Sequence, residues 1–289
     1  MLETKSIPVQ VFSSDDAGAP ELKADAGMLK NLLKACLVTG YGDKKPLGWA
    51  MPFESGNIAA FRSQDPSSHR RFLKIDNSHA NYISVYPYLD MSSLDNGTGL
   101  FVGSGGPNNF AYNAPRNFKW LLAGHSKAFI FVLSVAKNSQ ILFFGDVPSL
   151  ILLDTGNTVI INTHYSSAQS FDTGDINASN KQYFAKSVLN ISNDPIGALM
   201  RSFYWDYAAP YPDLITGGLG YSEIYLTENY SNSVRCLLPG LMSCGNNLNS
   251  IADLSPIDVG NGQVFIKLNI SDSTRENSNF LLNLSAWEA

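Results

Sequence analysis

Residues 120–133 do most to fix what this chain can fold into. Trp120-Leu121-Leu122-Ala123 and Ala128-Phe129-Ile130-Phe131-Val132-Leu133 are runs of strand-forming residues separated by the polar tetrapeptide Gly124-His125-Ser126-Lys127. Two such runs joined by a short glycine-containing turn read as a β-hairpin. Segments 140–144 and 157–163 continue the same high β-propensity. Ahead of the hairpin, 59–62, 71–76 and 82–86 are short apolar segments divided by Asp, Pro, Ser, Asn and His clusters. Ile7, Val9 and Val11 alternate with Pro8 and Gln10 as a first strand, and Pro8 places it at an edge. Segments 223–228, 233–238, 263–270 and 279–287 add strands toward the C-terminus. Short strands with frequent turns predict a mainly β protein of β-sandwich or barrel-like sheets.

One helix interrupts the pattern. Met28, Leu29, Leu32, Leu33, Cys36 and Leu37 recur at three- and four-residue intervals, which predicts an amphipathic helix over 27–38 with Lys30, Asn31 and Lys34 on its polar face. Asp25 is the expected N-cap, Gly40 and Gly42 end the helix, and Gly48-Trp49 turn the chain back to the first sheet. A chain of 289 residues suits one large domain or two. The turn Asp154-Thr155-Gly156-Asn157 suggests an N-terminal β-rich domain over 1–153 and a C-terminal β-rich region over 154–289, with one continuous domain as the alternative. Residues 89–117 read as a long irregular excursion, and 164–186, rich in Ser, Asn, Asp and Thr, as a protruding loop.

Charged residues make up 16% of the chain, below the roughly one quarter usual in soluble domains. Much of the surface must therefore be uncharged, as in subunits that meet other protein surfaces. The net charge of −5, with Lys and Arg scattered, argues against nucleic-acid binding. His69-Arg70-Arg71, the most basic run, reads as a solvated strand edge. Cys36, Cys236 and Cys244 have no metal-site spacing. Cys36 reads as a buried hydrophobe; Cys236 and Cys244 are left open between pairing and the reduced state that a cytoplasmic origin favours. No signal-peptide pattern opens the chain and no run approaches the roughly 18–20 apolar residues of a membrane span, which predicts cytoplasmic synthesis, solubility and no membrane association.

No catalytic, cofactor or metal residues emerge. His69, His79, His125 and His164 lie apart in turn-like surroundings, with His125 a polar turn residue and His164 at a solvated strand end. Gly103-Ser104-Gly105-Gly106 lacks the following helix and Lys-Ser/Thr of a phosphate loop, and Pro107 removes a backbone donor. Asp15/Asp16, Asp90/Asp95 and Asp206/Asp213 sit in turns, where Asp bonds its own backbone. The aromatics carry more. Tyr82, Tyr86 and Tyr88 share one strand parity, and Phe203, Tyr204, Trp205, Tyr207 and Tyr211 form the candidate interface, ranked after ordinary core packing and ahead of a sugar platform.

Several segments together carry a family resemblance. They are Val9-Gln10-Val11-Phe12-Ser13-Ser14-Asp15-Asp16-Ala17-Gly18-Ala19-Pro20, Leu37-Val38-Thr39-Gly40-Tyr41-Gly42, Gly48-Trp49, Trp120 to Gly124, Phe144-Gly145-Asp146 and Leu238-Pro239-Gly240-Leu241. In this order the chain resembles a family of tailed-bacteriophage virion proteins without an assigned detailed role. His125 departs from the charged residue that the family often has there, and 164–220 match no family segment. The resemblance implies a non-enzymatic structural subunit of the virion, in the collar, tail or head–tail region or as capsid decoration. Its partners would be portal, capsid or tail subunits and further copies of itself, with no cofactor. A receptor- or glycan-binding module is the alternative, and a polysaccharide or cell-wall hydrolase the third reading.

Overall fold

The computed structural model describes residues 5–80, 82–101, 108–111, 118–135, 138–162, 181–189, 194–201, 210–214, 217–229, 231, 233–259, 262–270 and 279–288. The protein is mainly β. Strands β1 (Ser6–Pro8) and β2 (Gln10–Ser13) precede helix α1 (Met28–Lys34), which passes into a π-helical turn over Ala35–Thr39. Strands β3 (Trp49–Ser55), β4 (Ile58–Ser63), β5 (Phe72–Asp76), β6 (Tyr82–Ser93), β7 (Asn96–Leu100) and β8 (Asn108–Ala111) follow. The central strands are β9 (Lys119–Gly124), β10 (Ala128–Val135), β11 (Asn138–Asp146), β12 (Thr158–Asn162) and β13 (Lys181–Phe184). Then come β14 (Ile196–Arg201), β15 (Tyr221–Glu228), β16 (Val234–Cys244), β17 (Pro256–Asp258), β18 (Val264–Asn269), β19 (Asn279–Asn283) and β20 (Ala286–Glu288).

The hairpin expected at 120–133 sits near one end of a 12-stranded antiparallel sheet in the order β17-β18-β19-β16-β15-β14-β13-β12-β11-β10-β9-β2. Its apolar runs are continuous because both faces are buried. Trp120, Leu122, Phe129, Phe131, Leu133, Leu142 and Phe144 point to one core, which they share with α1 and with Phe61, Leu73, Ile75, Ile83 and Val85 of a six-stranded sheet in which β3-β4-β5-β6-β7 follow one another and β8 pairs with β6. The alternate residues Ala123, Ile130, Val132, Ile141 and Phe143 point to a second core. There they meet Ile224, Leu226, Ile266, Leu268, Leu282 and Trp287 of the distal strands, so the long sheet curls and packs on itself. β1 pairs with β20 and closes the curl, joining the first strand to the last. Asp253 adds a polar clasp, accepting from Ser134 Oγ at 2.7 Å, Ser139 Oγ at 2.6 Å and Asn269 N at 2.9 Å. The turn at Asp154–Asn157 lies between β11 and β12, which are direct neighbours in this sheet.

Four local expectations are corrected. The helix is not capped by Asp25: Gly27 occupies the N-cap position without a side-chain bond, and Asn77 Oδ1 accepts from the backbone N–H groups of Leu29 (3.0 Å) and Lys30 (3.2 Å). Lys30 is not on a solvated face. It is buried, and its ammonium donates to Glu54 Oε1 at 2.7 Å and Gly56 O at 2.8 Å. Residues 89–93 and 96–100 are strands of the smaller sheet, where Gly97 leaves room for the Tyr88 ring. Residues 181–184 form β13, with Phe184 fully buried, so the proposed 164–186 loop is strand at its end. Residues 164–180 lie outside the described residues.

Candidate functional site

Among the described residues, an ion triad is buried at the junction of β11–β12, β13 and β15–β16. Arg235, 2% exposed, enters from β16. Its Nε and Nη2 donate to the two carboxylate oxygens of Asp154, both at 2.8 Å. Nη1 donates at 2.7 Å to Glu228 Oε1 and to the Lys186 carbonyl. The guanidinium lies over the Phe184 ring, 4.2 Å from its centroid. Each carboxylate is also held locally: Asp154 by Ser149 Oγ (2.7 Å) and Gly156 N (2.8 Å), Glu228 by Ser187 Oγ (2.8 Å) and Val188 N (2.6 Å). Burial alone would push the Asp154 carboxyl up. The Arg235 bonds, helped by Ser149 and Gly156, outweigh it and hold Asp154 below the usual carboxylate range.

This triad anchors two short segments that face solvent. Leu150-Ile151-Leu152-Leu153 projects between Ser149 and Asp154, with Leu152 and Leu153 89% and 88% exposed. The base is rigid. Leu150 N donates to Arg235 O at 2.7 Å, Leu237 N to Pro148 O at 3.0 Å and Asp154 N to Ile151 O at 3.3 Å. Arg71 Nη2 braces it from the smaller sheet by donating to Thr155 O at 3.2 Å. Leu153 has φ +59°, a left-handed conformation that disfavours a γ-branched side chain and persists only where the surroundings enforce it. Beside Glu228, Val188 and Leu189 are also exposed. Single exposed leucines are ordinary, but four consecutive apolar residues on a pinned loop form a surface suited to cover by another protein.

A second concavity lies farther along β16. A cleft of about 220 Å³ is lined by Leu237 to Gly240, Met242, Tyr221, Glu223, Phe265, Asn283 and Trp287, with Ser6 and Glu288 from the β1–β20 pair. Trp287 and Phe265 are buried, so they form its floor and do not present ring faces. The seam between the two sheets carries another polar cluster. Asp146 accepts from Ser68 Oγ at 2.8 Å, His69 N at 2.7 Å and Thr158 Oγ1 at 2.5 Å. Asp65 accepts from Ser126 Oγ at 2.6 Å and from Ser67. Burial raises its pKa, but these bonds and Lys127 bring it down to about 2.

His125 does occupy the hairpin turn, yet it is buried against the Trp287 ring instead of solvated. Its Nδ1 accepts from Lys127 N at 3.1 Å, and burial, with Lys127 adding to it, depresses its pKa to about 4. Arg71 is likewise half-buried and bonded, not a free strand-edge charge. Of the candidate interface aromatics, Phe203, Tyr204, Trp205 and Tyr207 lie outside the described residues. Tyr211 packs, half-buried, against the Cys244–Leu248–Phe265 cluster. Cys36, Cys236 and Cys244 are free and buried, and burial pushes the Cys236 thiol up to about 12. Among the described residues no group of three or more His, Cys, Asp and Glu side chains is placed to hold a metal ion, and no helix is long and apolar enough to cross a membrane.

Sequence reasoning missed the Leu150–Leu153 surface. The available signal was a four-residue apolar run set between turn residues, Pro148-Ser149 before it and Asp154-Thr155-Gly156 after it. Comparison with protein-family models gives no match. Comparison with curated proteins gives none that reaches significance.

Proposed function

We propose that this chain is a structural subunit of a tailed-bacteriophage particle that works by docking to neighbouring proteins through the Leu150–Leu153 loop, with Val188 and Leu189 beside it. The particle context comes from the sequence resemblance. The observation that carries the docking reading is the pairing of full exposure with rigid support: Leu152 and Leu153 stand in solvent on a loop tied to a buried, fully hydrogen-bonded ion triad. Covering a leucine is worth roughly 1.5–3 kcal/mol, so the two recover several kcal/mol when a partner buries them. A loop fixed beforehand gives up little conformational entropy on docking.

The test is incorporation into particles. Leu152→Ser/Leu153→Ser leaves the isolated fold intact, because neither side chain contributes to the core. Quantitative mass spectrometry of purified particles is expected to show the variant depleted at least tenfold relative to wild type. Wild-type incorporation of the variant would refute the docking role.

A further inference from the structure

A bulge in β16 opens a cleft whose polar groups have no answer within the chain. Three residues, Pro239, Gly240 and Leu241, stand between Leu238, which pairs with Ile224, and Met242, which pairs with Glu223. The bulge rests on Trp287, whose indole occupies the space that a Cβ at Gly240 would need. A bulge bends its strand out of the ladder and re-aims the side chains around it. Between this bulge, the start of β18 and the β1–β20 pair lies the cleft of about 220 Å³. A cavity of about 150 Å³ accommodates a benzene ring, so this one has room for a long side chain.

Glu223 and Glu288 edge the cleft, and neither makes an ion pair among the described residues. The Tyr225 hydroxyl donates to Glu223 Oε2 at 3.3 Å, and its pKa is raised by burial first and then by Glu223 and Glu288, so both carboxylates lie within electrostatic reach of one hydroxyl. Asn283, 4% exposed, is a second unmet group. Its Oδ1 accepts from Ser285 N (2.8 Å) and Ala286 N (3.4 Å), while its Nδ2, on the cleft side, has no acceptor among the described residues. Leu237 and Met242, half-buried cross-strand partners of Tyr225 and Glu223, add apolar surface. An occupant that meets all of these carries a positive charge, an aliphatic stem and a hydrogen-bond acceptor. An arginine residue combines them in its guanidinium fork, its methylenes and its main-chain carbonyl. We infer that the cleft receives an arginine presented by a neighbouring protein, its guanidinium held by Glu223 and Glu288, its stem on Leu237 and Met242, and a main-chain carbonyl on Asn283 Nδ2. This site stands apart from the Leu150–Leu153 loop and does not depend on it.

Isothermal titration calorimetry of the full chain with the capped peptide acetyl-Gly-Arg-Gly-amide tests it, with the citrulline peptide as the neutral isostere. The arginine peptide is expected to bind, and the citrulline peptide to bind roughly tenfold more weakly or worse, as loss of a charge-assisted hydrogen bond requires. Methylguanidinium alone, which brings neither stem nor carbonyl, is expected to bind more weakly than the arginine peptide. Glu223→Gln/Glu288→Gln, which keeps the shape of both side chains, should weaken the arginine peptide roughly tenfold or more. Glu21→Gln/Asp95→Asn, which removes the same net charge from exposed positions elsewhere, should leave it unchanged. Far-UV circular dichroism checks the folding of both variants, and the citrulline comparison needs wild type alone. No binding of the arginine peptide, equal affinity for the citrulline peptide, or undiminished binding by Glu223→Gln/Glu288→Gln overturns the site. Methylguanidinium binding as tightly as the peptide overturns the protein partner in favour of a free cation.

Discussion

Replacing Arg235 with Met should destabilise the protein and reverse the sign of its pH dependence near the carboxylate range. In the native protein Arg235 supplies two bonds to Asp154 and one to Glu228, with all three side chains no more than 2% exposed. Removing one member of a buried ion cluster typically costs about 3–5 kcal/mol, because the partner charges remain without solvent or counter-charge. The surviving donors, Ser149 Oγ and Gly156 N to Asp154, Ser187 Oγ and Val188 N to Glu228, keep the loss within that range. Against a total of about 5–15 kcal/mol this is a large fraction. At a urea m-value of about 3 kcal/mol/M, the unfolding midpoint falls by about 1 M or more.

The sign follows from linkage. In wild type the Asp154 carboxyl is held below its unfolded value, so its stabilisation is present above about pH 4 and is lost as pH falls through the folded value. Without Arg235, burial, already the largest influence on Asp154, goes largely unopposed and Glu228 adds like-charge repulsion. A carboxyl raised above its unfolded value stabilises below about pH 4, and the contribution is lost as pH rises through the folded value. Urea unfolding of both proteins at intervals from pH 2.5 to 7.5 reads this directly, the wild-type loss falling below about pH 4 and the variant's above it. The triple variant Asp154→Asn/Glu228→Gln/Arg235→Met, which leaves no buried charge, should recover most of the loss. A cost under about 1 kcal/mol for Arg235→Met, with the wild-type pH slope retained, would refute the triad as the anchor of the loop.

Three further outcomes are expected. Asn77→Ala should cost about 1–2 kcal/mol in urea unfolding by uncapping α1, whereas Asp25→Ala should be close to neutral. His125, whose folded pKa is depressed to about 4, stabilises fully above its unfolded value near 6.5, and this is lost as pH falls through 4, about 3 kcal/mol in all; His125→Asn should flatten that limb between pH 7.5 and 4.5. Gly240→Ala, at φ +77° with the Trp287 indole where a Cβ would sit, should cost about 2–4 kcal/mol and alter the near-UV tryptophan signal.

The elements legible in the sequence were those whose own residues decide their state. The 120–133 hairpin has β-propensity in both arms and a polar turn between them. The helix carries its apolar periodicity locally, and Gly40 at φ +77° ends the π-helical turn that extends it. What escaped depends on partners distant in the chain. The helix cap comes from Asn77, 48 residues beyond Leu29, so the nearer Asp25 was the natural choice. Lys30 reads as surface until Glu54 arrives 24 residues later. Strand β7, Asn96-Gly97-Thr98-Gly99-Leu100, has turn composition and becomes strand because it pairs with β6. The exposed Leu150–Leu153 loop, the proposed docking surface, was least legible. Arg235 and Asp154 are 81 residues apart, and only their pairing turns Leu150–Leu153 from a buried-looking run into a supported exposed one.

Hydroxyl-radical footprinting of Leu150–Leu153 and Val188–Leu189, compared between the isolated chain at low concentration and the intact particle, is the most direct test of the docking surface. Leu152 and Leu153 are expected to oxidise readily in the isolated chain and to be protected several-fold in the particle, while other exposed leucines such as Leu214 keep their free-chain rates. Equal oxidation of Leu152 and Leu153 in both states, in particles shown to contain the chain, would contradict the claim that this loop is where the protein meets its neighbours.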